Sequence, residues 1–285
     1  MTDLVYLYCL ARAGTKMDPN LEGMGGHGTV ASLEAGEVAA VYSLVPFDEF
    51  TGADAETRLT DPAWIVPRAC EHEQVTEEVM KGSPVLPVRF GTVFASPDAL
   101  AEFLAANAAG IARFLVYISD KEEWSVKLFM DAEAAVAWRV ASDPLLAGKR
   151  ARMSDSPGIR YLQEKQLNTE ARRQAKHHGV ALTETIQTQL QELCLDFLSL
   201  KPQDTRISGR TEEMILNGAV LLYRDHVSAF RNRIEEIGKR YVEQGLTAEA
   251  AGPWPPYHFC ATIENVPHHS RSQVQLGNEK SSVPQ

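Results

Sequence analysis

The sequence has little cysteine and lacks the segments that mark secreted or membrane-spanning proteins. Its four cysteines lie 61, 124 and 66 positions apart, without the spacing of a metal or redox motif. They are Cys9, Cys70, Cys194 and Cys260. This usage predicts reduced core thiols in an intracellular protein. The chain starts Met-Thr-Asp-Leu without a basic leader, and no segment approaches 18 uncharged apolar residues, so we expect neither a signal peptide nor a membrane span.

The sequence also lacks the common motifs of catalysis and of cofactor binding. There is no Gly-x-Ser-x-Gly elbow, and Gly148-Lys149 lacks the glycine five residues earlier that a phosphate-binding loop requires. The pairs His177-His178 and His268-His269 are adjacent and do not place two ligands on one helix face. Gly23 to Gly28 satisfies a literal GxGxxG, but a strand pattern follows it instead of a helix, which predicts a flexible turn. The sequence therefore contains no recognisable catalytic constellation, and we expect no cofactor and no metal site.

Basic charge is scarce in the first half of the chain. Residues 1–145 contain 10 Lys and Arg against 22 Asp and Glu, whereas the remainder has a net charge of +2. A nucleic-acid scaffold usually needs a basic face, so we expect no nucleic-acid partner. The exception is the stretch from Lys149 to Lys176, with eight basic and three acidic residues. It predicts a solvated helix face, with a docking arm for an acidic partner as the alternative.

The hydrophobic pattern predicts an α+β protein of two domains, which also suits a length of 285 residues. Residues 1–120 are predicted to form an N-terminal α/β domain. Its strands are expected at Leu4 to Leu10 and Glu37 to Val45, and its helices after Asp61-Pro62 and Ser96-Pro97.

Residues 121–264 are predicted to form a C-terminal ferredoxin-like domain with an enlarged helical crossover, from the order β-α-(long helix)-β-β-α-β. The long helix has a stripe from Leu182 to Leu200, and a short strand is expected near Thr205 to Ser208. A closing strand is expected from Tyr257 to Ile263. The remaining residues, 265–285, predict a disordered tail.

The stretch from Ser83 to Phe94 is apolar and β-branched, but Pro84 and Pro87 predict an edge or bulged strand. Arg89 lies inside this run, so we expect its guanidinium to be buried and paired. His72 falls on the inward stripe of the helix that starts at Pro62, which favours a structural core residue.

Three blocks of residues, in order, resemble the gas vesicle protein F and L family. The first is Tyr6-Leu7-Tyr8 with Ala39 to Pro46; the second is His72-Glu73 with Val85 to Phe94; the third is Gly252-Pro-Trp-Pro-Pro-Tyr-His-Phe259. The similarity runs from about residue 3 to residue 264. His258 departs from the family pattern, where a small polar residue is commoner, and this blurs whether the chain belongs to the F or the L subgroup.

The resemblance implies a non-enzymatic, cytoplasmic accessory protein of gas vesicle formation. It implies the small hydrophobic shell protein as a partner, other gas vesicle accessory proteins as further partners, and no membrane. The resemblance also implies a set of family-signature residues that are structural or bind a partner. They are His72, Pro87, Arg89, Phe90, Gly91, Trp254, Pro255, Pro256 and Tyr257. The alternative is a ligand-binding protein or enzyme of ferredoxin-like fold that uses a pocket formed by His72, Glu73 and Arg89.

Trp254 lies among prolines that fix the backbone before the predicted closing strand. We expect its indole to cover the core of the second domain, against the helix stripe from Val227 to Tyr241. The alternative is a rigid surface anchor for the shell protein.

Overall fold

The computed structural model describes residues 3–51, 55–205 and 209–260. These residues form two compact units. The first unit contains residues 3–123 together with residues 253–260, and the second contains residues 124–252. This division differs from the predicted domains, which placed residues 253–264 in the second one. The predicted tail, 265–285, lies outside the described residues.

The first unit is built on an antiparallel sheet with β1 inside it. The strands are β1 (Leu4–Arg12), β2 (Ala31–Ala35), β3 (Val38–Val45), β4 (Leu86–Pro87) and β5 (Val93–Phe94). The sheet order is β2-β3-β1-β4, and β5 also pairs with β1. The strand predicted for the proline-containing stretch is therefore confirmed as an edge strand, since β4 ends the sheet.

Helices cover both faces of β1, whose residues from Leu4 to Ala11 are all buried. The helices are α1 (Phe47–Phe50), α2 (Ala55–Arg58), α3 (Pro62–Met80) and α4 (Pro97–Ile118). The Asp61 side chain caps α3 by accepting from the Ala63 N–H, and the Ser96 side chain caps α4. By length and composition α4 could cross a membrane, but its apolar stripe is buried and it contacts β1, β2 and β3, as a core helix does.

The second unit is a sheet packed against long helices. Its elements are β6 (Lys121–Met130), α5 (Ala132–Ser142), α6 (Pro144–Ala151), α7 (Pro157–Gln191), β7 (Asp196–Leu200), β8 (Glu213–Tyr223), α8 (Val227–Tyr241) and β9 (Leu246–Trp254). The sheet order is β7-β8-β6-β9. The core joins β6 and β8 to Leu182, Ile186 and Leu190 of α7 and to the inward stripe of α8.

Two predicted elements of this half are wrong. The long helix ends at Gln191 instead of Leu200, and residues 196–200 pair with β8 as an antiparallel strand. Phe197 and Leu200 fit a helical stripe as well as a strand, and pairing with a buried strand decided between them. The closing strand is Leu246–Trp254, whose Ala-rich sequence has a weak strand signal. The described part of the strand expected at Tyr257 to Ile263, residues 257–260, is not a strand, and residues 261–263 lie outside the described residues. Most of the strand expected at 205–208 lies outside the described residues.

Gly218 lies in β8 where two side chains leave no room for another. A Cβ atom at this position would lie 2.7 Å from Cζ of Phe197 and 3.0 Å from Cγ1 of Val126. We expect Gly218→Ala to lower the free energy of unfolding by about 1–3 kcal/mol, because overpacking strains a close-packed core. Urea denaturation of the variant measures this. Adding Phe197→Leu should restore part of the loss, and an unchanged stability of the single variant would contradict the packing described here.

Candidate functional site

The residues that carry the family resemblance meet in the first unit, around Tyr6 and Tyr8 of β1. The register between β1 and β3 shifts between Leu7 and Cys9, which leaves Tyr8 at a bulge. A bulge reverses the alternation of faces, so Tyr6, Tyr8 and Cys9 all belong to the core cluster on the α3 side. Both tyrosines are fully buried.

His72 projects from α3 into this cluster. The Tyr6 hydroxyl lies 2.9 Å from Nδ1 of His72 and accepts a hydrogen bond from the Gly91 N–H at 3.2 Å. The centroid of the imidazole lies 5.7 Å from the Tyr6 ring, 5.8 Å from the Tyr8 ring and 6.1 Å from the Phe90 ring. The predicted burial of His72 is confirmed, with 2% of the residue exposed. Aromatic side chains fill the space around it.

The glycine-rich segment folds over the same cluster. It forms a 3-10 turn at Met24–Gly26, and no helix follows, as predicted. The Met24 N–H donates to the Tyr8 hydroxyl at 2.7 Å, and this hydroxyl lies 2.7 Å from Oγ of Ser43. The Gly25 N–H donates to Glu71 of α3 at 2.8 Å. The turn is therefore fixed by side chains that satisfy its backbone donors.

Most of the third family block belongs to the first unit, where two acidic residues accept hydrogen bonds from it. The Tyr257 hydroxyl donates to Glu73 at 2.8 Å. Glu123, which is 4% exposed, accepts from the His258 N–H at 3.0 Å and lies 2.5 Å from Nδ1 of His258. We call residues Pro255–Cys260 the return segment. Glu73, which only the alternative hypothesis places in a ligand pocket, here holds the return segment to α3.

The remaining residues of the second block form a turn. Pro87 is buried in β4, and Phe90 is partly buried beside the tyrosines. Gly91 has φ of +80°, a backbone conformation that glycine adopts without the strain a side chain would cause. Arg89 is exposed, so the expectation of a buried, paired guanidinium is wrong. The turn directs its side chain outward, while its carbonyl accepts from the Thr92 N–H and hydroxyl at 3.2 and 2.7 Å.

Trp254 does not close the second core. Its indole is 38% exposed and is not among the residues of that core cluster, so the prediction of a core lid is wrong. Pro255 and Pro256, in contrast, are buried. The reason is the position of β9, which ends at Trp254 instead of starting beyond it. The prolines anchor the chain, and the indole between Pro253 and Pro255 faces partly outward.

Burial shifts the pKa values of several ionisable groups of the cluster in the direction that favours their neutral forms. Burial lowers the pKa of His72 to about 4, against a smaller opposite contribution from the Val88 backbone. Burial also raises the pKa values of Tyr6, Tyr8 and Cys9. Glu73 has a raised pKa, mainly through burial, although the hydrogen bond from Tyr257 opposes this shift. At neutral pH, His72 and the Tyr6 hydroxyl thus form a neutral hydrogen-bonded pair inside a filled core.

Sequence reasoning missed the residues that complete this arrangement. Tyr8 and Ser43 belong to the first family block, but no side-chain role was predicted for them, and Glu123 entered only the charge count. A tyrosine in a fully apolar strand is a usable signal, because a buried hydroxyl needs a partner. Glu123 gives no such signal, since it lies beside Glu122 at the polar start of β6. Within the described residues, no three His, Cys, Asp or Glu side chains are grouped to hold a metal.

A family model for the gas vesicle synthesis protein GvpL/GvpF matches residues 4–261. The chain belongs to this family. The match includes all three blocks, from Tyr6 in β1 to the return segment. Membership in the GvpL/GvpF family gives the chain a role in gas vesicle formation and an association with gas vesicles.

Individual relatives agree with this assignment. The chain is 26% identical to gas vesicle protein L of a Streptomyces species over 94% of this chain and 97% of the relative. It is 30% identical to gas vesicle protein L2 of Halobacterium salinarum over 70% and 71% of the two chains. The crystal structure of GvpF from an Anabaena species superposes with a TM-score of 0.63 at 20% identity, covering 94% of this chain and all of that one. The mixed helix and sheet architecture is therefore that of the GvpF structures.

Proposed function

We propose that this chain is a non-enzymatic, cytoplasmic accessory protein that binds the small hydrophobic gas vesicle shell protein and assists assembly or nucleation of the vesicle. The observation that carries the proposal is the family match over residues 4–261. The neutral, filled core around His72 supports the non-enzymatic part, because the family residues there are occupied in packing and hydrogen bonding.

The apolar surface of the shell protein gives a physical reason for the proposed role. Shell subunits that line a gas-filled wall expose apolar surface before they assemble, and such surface aggregates in water. A protein that covers this surface keeps subunits available for growth of the wall. Other gas vesicle accessory proteins are further partners under this proposal.

The alternative, a pocket formed by His72, Glu73 and Arg89, has little support in the geometry. His72 and Glu73 are consecutive on α3, so their side chains point about 100° apart. His72 faces the tyrosines, Glu73 binds Tyr257, and Arg89 is exposed. The three side chains do not converge on one space.

Trp254 is the residue of the family blocks best placed to contact the shell protein. Exposed aromatic side chains on a rigid backbone are typical hot spots of protein interfaces, and prolines stiffen this one on both sides. We expect Trp254→Ala to weaken co-purification of the tagged protein with the shell protein by at least tenfold. Its cost in stability should be about 1–2 kcal/mol, below the roughly 3–5 kcal/mol of a fully buried aromatic, because the indole is partly exposed.

A matched control is Phe47→Ala, which removes another exposed aromatic ring of the first unit, 42% exposed. This variant should retain the shell protein. Equal retention by both variants would contradict the assignment of Trp254, whereas failure of the unaltered protein to retain the shell protein would contradict the proposed function itself.

We propose that the second unit is a ferredoxin-like domain whose first crossover is enlarged by α5, α6 and α7. Its support is the chain order β-α-β-β-α-β and the sheet order β7-β8-β6-β9, with β9 and β7 at the edges.

A further inference from the structure

The longest helix of the protein carries a continuous exposed stripe. Six side chains of α7, at intervals of three or four residues, lie on one helix face and are all exposed. They are Leu162, Lys165, Thr169, Arg173, Lys176 and Val180. We call this set the outer stripe. It extends from Leu162 to Val180, about 27 Å along the helix axis.

The composition of the outer stripe is unusual for a solvated face. Its two ends are apolar, with Leu162 60% and Val180 53% exposed, and Tyr161 beside Leu162 is 65% exposed. Its middle is cationic. The inward side of α7 already packs on the protein through Leu167, Ala171, Leu182 and Ile186. Leu162 and Val180, the apolar ends of the stripe, are therefore not part of the core clusters that α7 packs against.

The cations of the outer stripe differ from their neighbours in their ion pairs. Lys149 pairs with Glu170 at 2.6 Å, Arg160 pairs with Glu164 at 3.5 Å, and Arg172 pairs with Glu133. In the part of the chain that the structure describes, Lys165, Arg173 and Lys176 have no carboxylate within 4.0 Å. Glu164 and Glu170 of α7 thus form their ion pairs with cations outside the stripe, and Arg173 acts on Glu170 only through a longer-range electrostatic interaction.

The negative net charge of the rest of the chain disfavours two kinds of polyanionic partner for the outer stripe, nucleic acids and anionic membranes. Residues 1–123 contain 8 Lys and Arg against 19 Asp and Glu, and the whole chain has a net charge of -10. Such a chain is repelled by a nucleic acid or an anionic membrane, which present extended negative surfaces. A short acidic segment of a protein presents no such extended negative surface.

We propose that the outer stripe of α7 docks an acidic amphipathic helix of a partner protein. The partner helix would place carboxylates opposite Lys165, Arg173 and Lys176 and apolar side chains opposite Leu162 and Val180. Two straight helices pack along their length when side chains recur at intervals of three and four residues, as they do here. Exposed cations steer such a partner and set its orientation, while the apolar ends supply contact area. This inference goes beyond the proposed function, because the hydrophobic shell protein is assigned to Trp254.

The test uses a labelled helical peptide with Leu at both ends and three Glu residues spaced to face the stripe, and a counterpart with Lys in place of Glu. Fluorescence anisotropy with the full chain measures binding at low salt. We expect the Glu peptide to bind and the Lys peptide not to bind. The triple variant Lys165→Glu/Arg173→Glu/Lys176→Glu should weaken the Glu peptide at least tenfold and gain binding of the Lys peptide.

The control variant Lys16→Glu/Lys201→Glu/Arg240→Glu makes the same change of net charge at exposed positions outside α7 and should bind the Glu peptide within twofold of the unaltered protein. Absence of Glu-peptide binding, or equal loss in both triple variants, overturns the proposal and leaves a solvated face. Co-purification with the shell protein separates the two ideas: if the stripe variant retains the shell protein while losing the peptide, both stand. If the unaltered protein does not retain the shell protein in co-purification, only the proposed function is rejected.

Discussion

We expect Tyr6→Ala to lower the free energy of unfolding of the first unit by at least about 3–5 kcal/mol, the cost of removing a large buried aromatic side chain. Tyr6 is fully buried and contacts the rings of Tyr8 and Phe50, at centroid distances of 5.0 and 5.1 Å. Its hydroxyl also joins α3 to the turn before β5 through His72 and Gly91. Since a typical domain is stable by about 5–15 kcal/mol, this change unfolds a marginal one.

Tyr6→Phe separates packing from hydrogen bonding at this position. It keeps the ring and removes the hydroxyl, which leaves the Gly91 N–H and His72 without this partner, so we expect a loss of about 1–3 kcal/mol. Hydrogen exchange of peptides from β1, followed by mass spectrometry, reports the first unit alone, which matters because a chain of two units need not unfold in one step. Equal protection of β1 in Tyr6→Ala and the unaltered protein would show that this cluster does not hold the unit together.

We expect the first unit to lose about 3 kcal/mol of stability as the pH falls from 6.5 to 4 because of His72 alone. Burial lowers the pKa of His72 from 6.5 to about 4 in the folded protein. Below pH 6.5 the unfolded chain binds a proton at this residue, and the folded chain does not until the pH reaches about 4. Protons therefore favour the unfolded chain within this window, at about 1.4 kcal/mol for each unit of pKa difference.

Glu73 acts in the opposite direction. Its pKa is raised in the folded state, so the folded chain binds a proton at higher pH than the unfolded chain, and Glu73 adds stability as the pH falls. His72→Gln isolates the histidine, because glutamine is neutral throughout and Glu73 is unchanged. The difference in stability between the unaltered protein and His72→Gln should shift by about 3 kcal/mol between pH 7 and pH 4, to the disadvantage of histidine. A difference that stays constant with pH would exclude a buried neutral imidazole.

Local signals in the sequence predicted most elements of the first unit. The pairs Asp61-Pro62 and Ser96-Pro97 mark helix starts through capping, and the apolar stripes of α3 and α4 follow the helical period. Elements that depend on pairing with a distant strand were less predictable. β7 and β9 have weak strand propensity of their own and form because β8 and β6 offer neighbouring backbone partners.

The candidate site shows the same limit for side chains. Periodicity placed His72 inside, because a helix face is a local property. Arg89 and Trp254 were misplaced because their exposure depends on a turn and on a closing strand that ends before the expected one begins. Neither the turn nor the position of this strand has a strong local signal in the sequence.

The return segment makes the first unit discontinuous in sequence. During synthesis, the first unit is therefore completed after the second one, although its synthesis begins earlier. The ribosome finishes residues 124–252 before it makes Tyr257 and His258, the partners of Glu73 and Glu123. The second unit is therefore complete while the first still lacks its last piece. β6 and β9 are neighbouring strands, joined where the Ser125 hydroxyl donates to the Ala251 carbonyl, so folding of the second unit brings the two connections to the first close together. Closing a long flexible loop costs conformational entropy. Folding of the second unit has already incurred most of this cost before Tyr257 reaches α3.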